Sequence, residues 1–276
     1  EEDLKRRDFT CNAIAYDPFE RQLIDPFGGQ EDLSNGIVRC VRNPMERFSE
    51  DGLRPLRAVR FAAVLNFTLD PSTEQAISAT IDVFRKVAQE RVHQEFRKLL
   101  LCDHSTKGLE LLERTGLLAA FFPEAVATSF GAVDVAPKDE IVRLAVLLKS
   151  NAKAKDIVTR LRFPNRVADE VLAVALCSPP PALTAADSDW RRWISQAGAT
   201  RAQGLLSTEV ALGTISGAFI SRFQNIMQSQ PPLTVADLAL KGSDVMRILQ
   251  IAPSPLVGES TRYLLDRVID DPSRNT

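Results

Sequence analysis

The sequence predicts an α+β chain in which a small piece of mixed structure, up to about residue 68, precedes an all-α body. Two observations predict this division. Before residue 68, short segments with the composition of strands alternate with turn signals such as Asp17-Pro18 and Gly28-Gly29. From Asp70 onward, apolar residues recur with the period of an α-helix. The fold is therefore expected to change character near residue 68.

The early part should contain short strands, a helical turn and two helices. Residues 17–20 are a turn signal between two β-type runs, and residues 30–33 favour a short helical turn. Asn43-Pro44 should open one helix, and an arginine-rich helix should follow Ser49. The predicted strands are residues 9–16, 21–24 and 36–41.

The later part should be helical throughout, with Pro179-Pro180-Pro181 as a loop between two groups of helices. The helices predicted from apolar periodicity are residues 74–87, 90–102, 106–115, 139–150, 153–162, 166–176, 187–196, 200–207, 210–228, 234–240, 242–248 and 260–270.

Composition excludes several classes of protein. The 276 residues are 45% hydrophobic and 25% charged, with a net charge of -2, which is ordinary for a globular protein. No apolar run is long enough to cross a bilayer, so no membrane partner is expected. The four cysteines lie far apart and resemble reduced residues of a cytoplasmic protein. Neither His93 nor His104 lies near a cluster with metal-ligand spacing. The sequence offers no basis for inferring a protein partner.

The most informative stretch is the arginine-rich helix. Glu50 and Asp51 should lie in its first turn, where the helix dipole favours negative charge. Arg54, Arg57 and Arg60 recur every three residues and should form one stripe along a helix face. Three guanidiniums on one face repel each other unless something anionic lies opposite, although a solvated basic face is the simpler alternative. The apolar flank expected to anchor this helix consists of Leu53, Leu56, Val59 and Ala63.

Two earlier segments are ambiguous by themselves. Arg6 and Arg7 lead into a strand, from which a guanidinium can reach phosphate oxygens, but an exposed basic turn is the simpler alternative. Gly28 and Gly29 either allow a close approach of the backbone to a ligand or make a plain turn. Their spacing is not that of a P-loop or a Rossmann fingerprint.

Taken in order, these segments resemble the motifs of one known family. They are similar to those of the class II tRNA nucleotidyltransferases, the CCA-adding enzymes, which have bacterial poly(A) polymerases as close relatives. The stretch 90–100 resembles the next motif, in the family's neck, and the stretch 240–258 resembles its tail. The three most specific segments are RRDFTCNA at 6–13, DPFGGQEDL at 25–33 and RFSEDGLRPLRAVRFAA at 47–63.

The resemblance implies a fold, a reaction and partners. The fold would be the C-terminal part of a nucleotidyltransferase head at 1–68, a helical neck at 69–130, and a helical body and tail at 131–276 that bind tRNA. The reaction would be template-independent addition of C and A to the tRNA 3′ end from CTP and ATP, with Mg²⁺ as cofactor. Two alternatives stay open: a poly(A) polymerase or partial CC- or A-adding relative, and a non-catalytic RNA-binding remnant.

The resemblance also assigns roles to individual residues. Asp51 and Arg54 would read the base together, since residues three apart share one face of a helix. A carboxylate accepts from the exocyclic amine that cytosine and adenine share, while a guanidinium donates to a ring acceptor. Uracil and guanine present a carbonyl instead of that amine. Glu50, four residues before Arg54, would hold its guanidinium. The residues expected to bind the triphosphate are Arg7, Arg57 and Arg60. Supporting roles are expected for Asp8, which would orient Arg7, and for Asn12, which would satisfy the backbone.

The sequence also departs from the family pattern. The family's metal-binding Asp-x-Asp pair and a Gly-rich segment lie upstream of the Arg-Arg-Asp motif, and neither is present in these residues. We therefore expect no catalytic or metal-binding residue here, and expect this chain alone to be an inactive fragment lacking the first part of the head. Asp187-Ser188-Asp189 lies far from the motifs and is discounted. Gln250 and Ser254 stand where relatives usually have glycine, which leaves the local turn open.

Overall fold

The computed structural model describes residues 2–127, 130–149, 151 and 153–276, without the side chains of Val126 and Ala127. Within these residues the chain is α+β, as predicted, with short strands in its first 69 residues and helices throughout. The strands are β1 (Ala15–Asp17), β2 (Gln22–Ile24), β3 (Ile37–Val38) and β4 (Thr68–Leu69).

The helices are α1 (Glu2–Lys5), α2 (Gly29–Asn35), α3 (Pro44–Glu50), α4 (Arg54–Leu65), α5 (Pro71–Ala79), α6 (Ile81–Phe84), α7 (Gln89–Leu100), α8 (Ser105–Arg114), α9 (Leu117–Phe121), α10 (Gly131–Val135), α11 (Glu140–Leu148), α12 (Ala154–Arg160), α13 (Asn165–Ala175), α14 (Asp187–Ala197), α15 (Ala199–Ala211), α16 (Ala218–Gln228), α17 (Gly242–Leu249) and α18 (Pro255–Asp270).

The chain divides into two compact units, Glu1–Leu172 and Ala173–Thr276. Both boundaries expected from the family resemblance, at residues 68 and 130, fall inside the first unit. The division into head, neck and body stays a prediction.

The strands form two small sheets. β1 and β2 make the predicted antiparallel hairpin, with Tyr16 opposite Leu23. The first strand is shorter than expected, because residues 10–12 form a 3₁₀ turn instead of continuing the strand. β3 pairs in parallel with β4, and helices α3 and α4 connect the two strands. β4 was missed because a two-residue strand has no alternating pattern of its own and exists only through its partner.

Two predicted helices are interrupted. The helix expected at 74–87 is split at Thr80, whose buried hydroxyl donates to the Ala76 carbonyl and ends α5. The helix expected at 210–228 begins only at Ala218, because Gly213 adopts a left-handed backbone (φ +71°) after α15. The prediction of a helix at 234–240 was wrong as well, since the structure has a 3₁₀ turn there, at Val235–Asp237.

Helix α4 lies at the centre of the first unit, where it packs against α7 and α8. Its predicted apolar flank is buried, which confirms the anchoring role: Leu53, Leu56, Val59 and Ala63. The approach of α8 is close, because a Cβ on Gly108 would lie 3.0 Å from the Ala63 Cβ and 2.9 Å from the Leu99 Cγ. Helix α4 is therefore fixed on its apolar side.

The connection between α3 and α4 has no room for a side chain at Gly52. A Cβ there would lie 2.7 Å from the Val83 carbonyl oxygen and 2.9 Å from its carbon. These are backbone atoms and cannot rotate away. Gly52 is therefore required by close contact between two backbone segments.

We expect Gly52→Ala to lower the free energy of unfolding by about 1–3 kcal/mol, because the added methyl group must displace backbone at Val83. Thermal or denaturant unfolding measures this. Gly131→Ala is the matched control, since a Cβ there meets nothing within 4 Å. Equal stability of the two variants would contradict the argument.

The second unit contains the turn at Gln250, where the family that the sequence resembles usually has glycine. Gln250 ends α17 with a left-handed backbone (φ +52°), so the turn forms although the residue is not glycine. The left-handed region costs a non-glycine residue about 1–2 kcal/mol. Ser254 lies just before α18 in an extended conformation. The turn that the sequence left open is thus retained with backbone strain at Gln250.

Gln250→Gly should raise the free energy of unfolding by about 0.5–1 kcal/mol, because relief of the left-handed strain outweighs the extra chain entropy of glycine. Gln203→Gly is a control expected to change stability in the opposite direction: Gln203 is an exposed residue in the interior of α15, and glycine there should lower the free energy of unfolding by about 0.5–1 kcal/mol. The two melting temperatures should therefore move in opposite directions. A melting temperature of Gln250→Gly below that of the unaltered protein would contradict the argument from backbone strain.

Candidate functional site

The helix that carries the arginine stripe begins later than expected. Glu50 is the last residue of α3, and Asp51 follows in an extended conformation (φ −139°, ψ 105°). Pro55 lies in the first turn of α4, which begins at Arg54, and it has no N–H to donate to the carbonyl four residues earlier, at Asp51. The prediction that Asp51 and Arg54 share one helical face is therefore wrong. They are joined instead by a backbone hydrogen bond from the Arg54 N–H to the Asp51 carbonyl, 3.0 Å.

The three arginines of the stripe each meet a carboxylate from this chain. The side chains of Arg54 and Arg60 are only 15% and 11% exposed, so the alternative of a solvated basic face is wrong for them. The pairs are Arg54–Glu50 at 2.9 Å, Arg57–Asp8 at 2.6 Å and Arg60–Glu95 at 2.6 Å. The anionic groups that the sequence required opposite the stripe are thus carboxylates from three other segments.

Arg54 is held from two sides. Its Nη1 donates to Glu50 Oε2, as their spacing predicted, and to the Arg47 carbonyl at 2.8 Å. Arg47 is itself buried and donates from Nη2 to the carbonyls of Arg6 (2.6 Å) and Arg7 (3.1 Å). Arg47 therefore fixes the backbone of the Arg-Arg segment beside the start of α4.

The side chain of Arg7 is half exposed and bonds Asp3 in α1 at 2.9 Å. Asp8 does not orient it, contrary to expectation. Asp8 Oδ2 accepts from Arg57 Nε and Nη2, at 2.9 and 2.6 Å, and Asp8 Oδ1 accepts from Asn12 Nδ2 at 3.0 Å. Asn12 thus supports a side chain and not the backbone. Burial opposes ionisation of Asp8, but the bonds from Asn12 and Arg57 outweigh it and lower its pKa.

The Asp51 carboxylate is one-third exposed, at 34% of its side-chain area. Its Oδ1 accepts from the Leu53 N–H at 3.1 Å, and its Oδ2 accepts from Arg91 Nη2 at 3.0 Å. Burial by itself would raise the pKa of the Asp51 carboxyl. The two hydrogen bonds and the Arg54 charge outweigh burial, so the pKa lies below its usual value. Asp51 is therefore an ionised acceptor at neutral pH.

Two residues of α7 were missed by the sequence argument. Arg91 bonds Asp51, and Glu95, one turn later, bonds Arg60 and lies 3.7 Å from Arg57 Nη1. Glu95 is buried, with 4% of its surface exposed. The signal in the sequence was an opposite-charge pair four residues apart within the motif at 90–100, which places both side chains on one helix face.

The Gly-Gly segment is structural. The Asp25 carboxylate accepts from the N–H groups of Gly29 (2.7 Å) and Gln30 (2.8 Å) and so caps helix α2. Gly28 has a left-handed backbone, and a Cβ on Gly29 would lie 2.3 Å from the Thr10 carbonyl oxygen. The close approach that these glycines allow is between two parts of the backbone.

The described residues do not fit a metal ion. Among them, no group of three or more His, Cys, Asp or Glu side chains could hold one. The carboxylates of the site are already bound to arginines. Asp187, the first residue of α14 and part of the discounted Asp-x-Asp, forms an ion pair with Arg222. In the same part of the chain, none of the helices has the length and apolar character needed to span a bilayer.

Comparison with known proteins identifies the family. Residues 1–39 match the family model described as the poly(A) polymerase head domain, and residues 66–128 match the one described as a probable RNA- and SrmB-binding site of polymerase A. The whole chain aligns at 32% identity with 69% of the CCA-adding enzyme of Geobacillus stearothermophilus. The chain belongs to the class II CCA-adding enzyme family. It spans 65% of a second such enzyme, from Geobacillus sp. strain WCH70, at 33% identity over 94% of this chain.

Solved structures of CCA-adding enzymes share this fold. The Bacillus stearothermophilus CCA-adding enzyme in complex with CTP superposes with a TM-score of 0.81 at 31% identity, covering 98% of this chain and 70% of that one. The Thermotoga maritima CCA-adding enzyme complexed with tRNA has a TM-score of 0.69 at 22% identity, covering 98% and 69%. At that identity the second comparison shows a common fold.

Glu95→Gln should lower the free energy of unfolding by about 2–3 kcal/mol at pH 7, because it leaves the guanidinium of Arg60 without its carboxylate. Burial opposes ionisation of Glu95, but Lys98, Arg60 and Arg57 lower its pKa below the usual glutamate value. Its stabilisation is therefore complete above the unfolded-state pKa of about 4.3 and is lost as the pH falls through the lower folded-state pKa. The difference in free energy of unfolding between the unaltered protein and Glu95→Gln should therefore decrease as the pH falls.

Unfolding of both chains between pH 3 and pH 7 measures this difference. Glu90→Gln is the matched control, since Glu90 lies on the same helix in an exposed pair with Arg162 at 3.4 Å. That substitution should change stability by less than about 1 kcal/mol. A stability difference for Glu95→Gln that stays constant with pH would contradict the ionic origin.

Proposed function

We propose that this protein adds C and A to the 3′ end of tRNA, using CTP and ATP as substrates. The relatives that support this are named CCA-adding enzymes, and solved members include complexes with CTP, ATP and tRNA. The observation on which the proposal rests is an ionised carboxylate, Asp51, whose backbone carbonyl accepts from the Arg54 N–H at the start of α4 and whose pKa the Arg54 charge helps to lower.

This pair has the chemistry needed to select the base. Asp51 can only accept hydrogen bonds and Arg54 can only donate them. An exocyclic amine, as in cytosine and adenine, donates to Asp51, while a ring nitrogen accepts from Arg54. Uracil and guanine would place a carbonyl against the carboxylate, leaving two acceptors face to face and both desolvated without a partner. The protein itself then acts as the template.

Arg7, Arg57 and Arg60 are proposed to bind the triphosphate. A guanidinium has five N–H donors, so Arg57 and Arg60 can share theirs between their carboxylates and a phosphate oxygen. Arg57 is the more accessible of the two, with 31% of its side chain exposed against 11% for Arg60. Arg7 is 51% exposed, and its exposed ion pair with Asp3 is weak enough to be exchanged for an anion. Asp8, itself bonded by Asn12, would support Arg57, and Glu50 would support the base-reading Arg54.

Mg²⁺ is the proposed cofactor, since the family resemblance implies metal-assisted nucleotidyl transfer. The carboxylates described around α4 are bound to arginines and do not fit a metal site. The division into head (1–68), neck (69–130) and tRNA-binding body and tail (131–276) is likewise a proposal, as is a cytoplasmic location.

The reaction is tested with the full-length protein and tRNA lacking its 3′ end. We expect addition of C, C and A followed by a stop, read by gel electrophoresis and sequencing of the product. An open-ended A tail would favour a poly(A) polymerase, and addition that ends at CC or after a single A would favour a partial relative. No addition with bound tRNA would favour a non-catalytic RNA-binding protein.

Asp51→Ala and Arg54→Ala should each reduce the preference for CTP and ATP over UTP and GTP by about tenfold or more, because each removes half of the hydrogen-bond pattern. The measurement is kcat/KM for each nucleotide. Asp82→Ala and Arg85→Ala are matched controls: this pair is also three residues apart, bonds at 2.9 Å and lies exposed on and after α6. Wild-type selectivity in both site variants would refute the base-reading assignment.

A further inference from the structure

Arg91 contacts the carboxylate that is proposed to read the base. Its Nη2 lies 3.0 Å from Asp51 Oδ2 and 3.4 Å from Asp51 Oδ1, across 40 positions of sequence. We propose that Arg91 is a specificity-determining positioning residue, which holds the Asp51 carboxylate in the orientation that accepts an exocyclic amine. This inference rests on the proposed function of Asp51.

Asp51 needs such a partner because its own backbone does not fix it. The residue lies in the extended connection between α3 and α4, and its side chain has two torsions that can rotate. The Leu53 N–H holds one oxygen, Oδ1, at 3.1 Å. One hydrogen bond leaves the carboxylate free to turn about it. The second bond, from Arg91 to Oδ2, fixes the plane of the group.

The pairing leaves room for a base. An ionised carboxylate offers about four lone-pair positions, and the bonds from Leu53 and Arg91 occupy about half of them. One-third of the Asp51 side chain stays exposed. Arg91 therefore orients the acceptor and does not cover it.

Helix α7 is a firm support for this contact. Glu95, one turn after Arg91, is buried and bonds Arg60 at 2.6 Å, so α7 is attached to the arginine-bearing face of α4. The Arg91 side chain itself is 53% exposed, and an exposed ion pair contributes little to global stability. Removing Arg91 should therefore free the Asp51 carboxylate without unfolding the protein.

A carboxylate that can turn reads the base less strictly. It can rotate away from a uracil or guanine carbonyl and let water bridge the two acceptors, which removes the repulsion that excludes those bases. Removal of Arg91 should therefore reduce the selectivity between nucleotides and leave the stability of the fold unchanged.

The test measures kcat/KM for CTP and for UTP with the full-length protein and tRNA lacking its 3′ end. Arg91→Gln should reduce the CTP:UTP ratio by about tenfold at an unchanged melting temperature. Arg91→Lys keeps the charge and should restore part of the ratio. The Asp51→Ala, Arg91→Gln double variant should be no less selective than Asp51→Ala, because Arg91 acts through Asp51.

Arg97→Gln is the matched control. Arg97 lies on the same helix, is 51% exposed and bonds a carboxylate outside the site, Glu140, at 2.7 Å. If Asp51→Ala loses selectivity while Arg91→Gln keeps it, the role of Arg91 is refuted and the proposed function stands. Equal losses in Arg91→Gln and Arg97→Gln would also refute it, as a general effect of charge on α7. Retained selectivity in Asp51→Ala would overturn both proposals.

Discussion

Neutralisation of the arginine stripe on α4 is the interaction on which the first unit depends. Three guanidiniums along one helix face would repel each other, and each instead meets a carboxylate: Glu50, Asp8 or Glu95. These come from α3, from the segment after α1 and from α7. The stripe therefore joins three parts of the chain that are distant in sequence. Its apolar opposite face fixes the same helix to the core.

This arrangement separates two kinds of residue within one short stretch. Arg57 and Arg60 bond carboxylates that belong to the fold, so their substitution would disturb structure as well as any phosphate contact. Asp51 is different, because it lies in a connection, is one-third exposed, and has a carboxylate that accepts from the Leu53 N–H and from Arg91. Base selection would thus be the function most easily altered without loss of the fold.

Much of the fold could be predicted from local pattern, and the site only in part. The β1–β2 hairpin followed from its turn signal, and most of the helices after residue 70 followed from apolar periodicity, whereas short helices such as α9 and α10 did not. β4 could not be predicted, because its two residues become a strand only when β3 lies beside them. Asp51 was placed in a helix because acids are typical of a first turn, but Pro55 cannot donate to the Asp51 carbonyl, and α4 begins at Arg54.

The partners of the stripe show the same limit. Glu50 was predictable because it is four residues from Arg54, whereas Glu95 belongs to a helix whose packing on α4 no local pattern reveals. The burial of that last pair, with 11% of Arg60 and 6% of Glu95 exposed, has a consequence for ionic strength. Mobile ions screen exposed charges such as Arg6, at 80% exposure, far more than enclosed ones. Added salt should therefore release a polyanion from the surface while the charge pattern within the site persists.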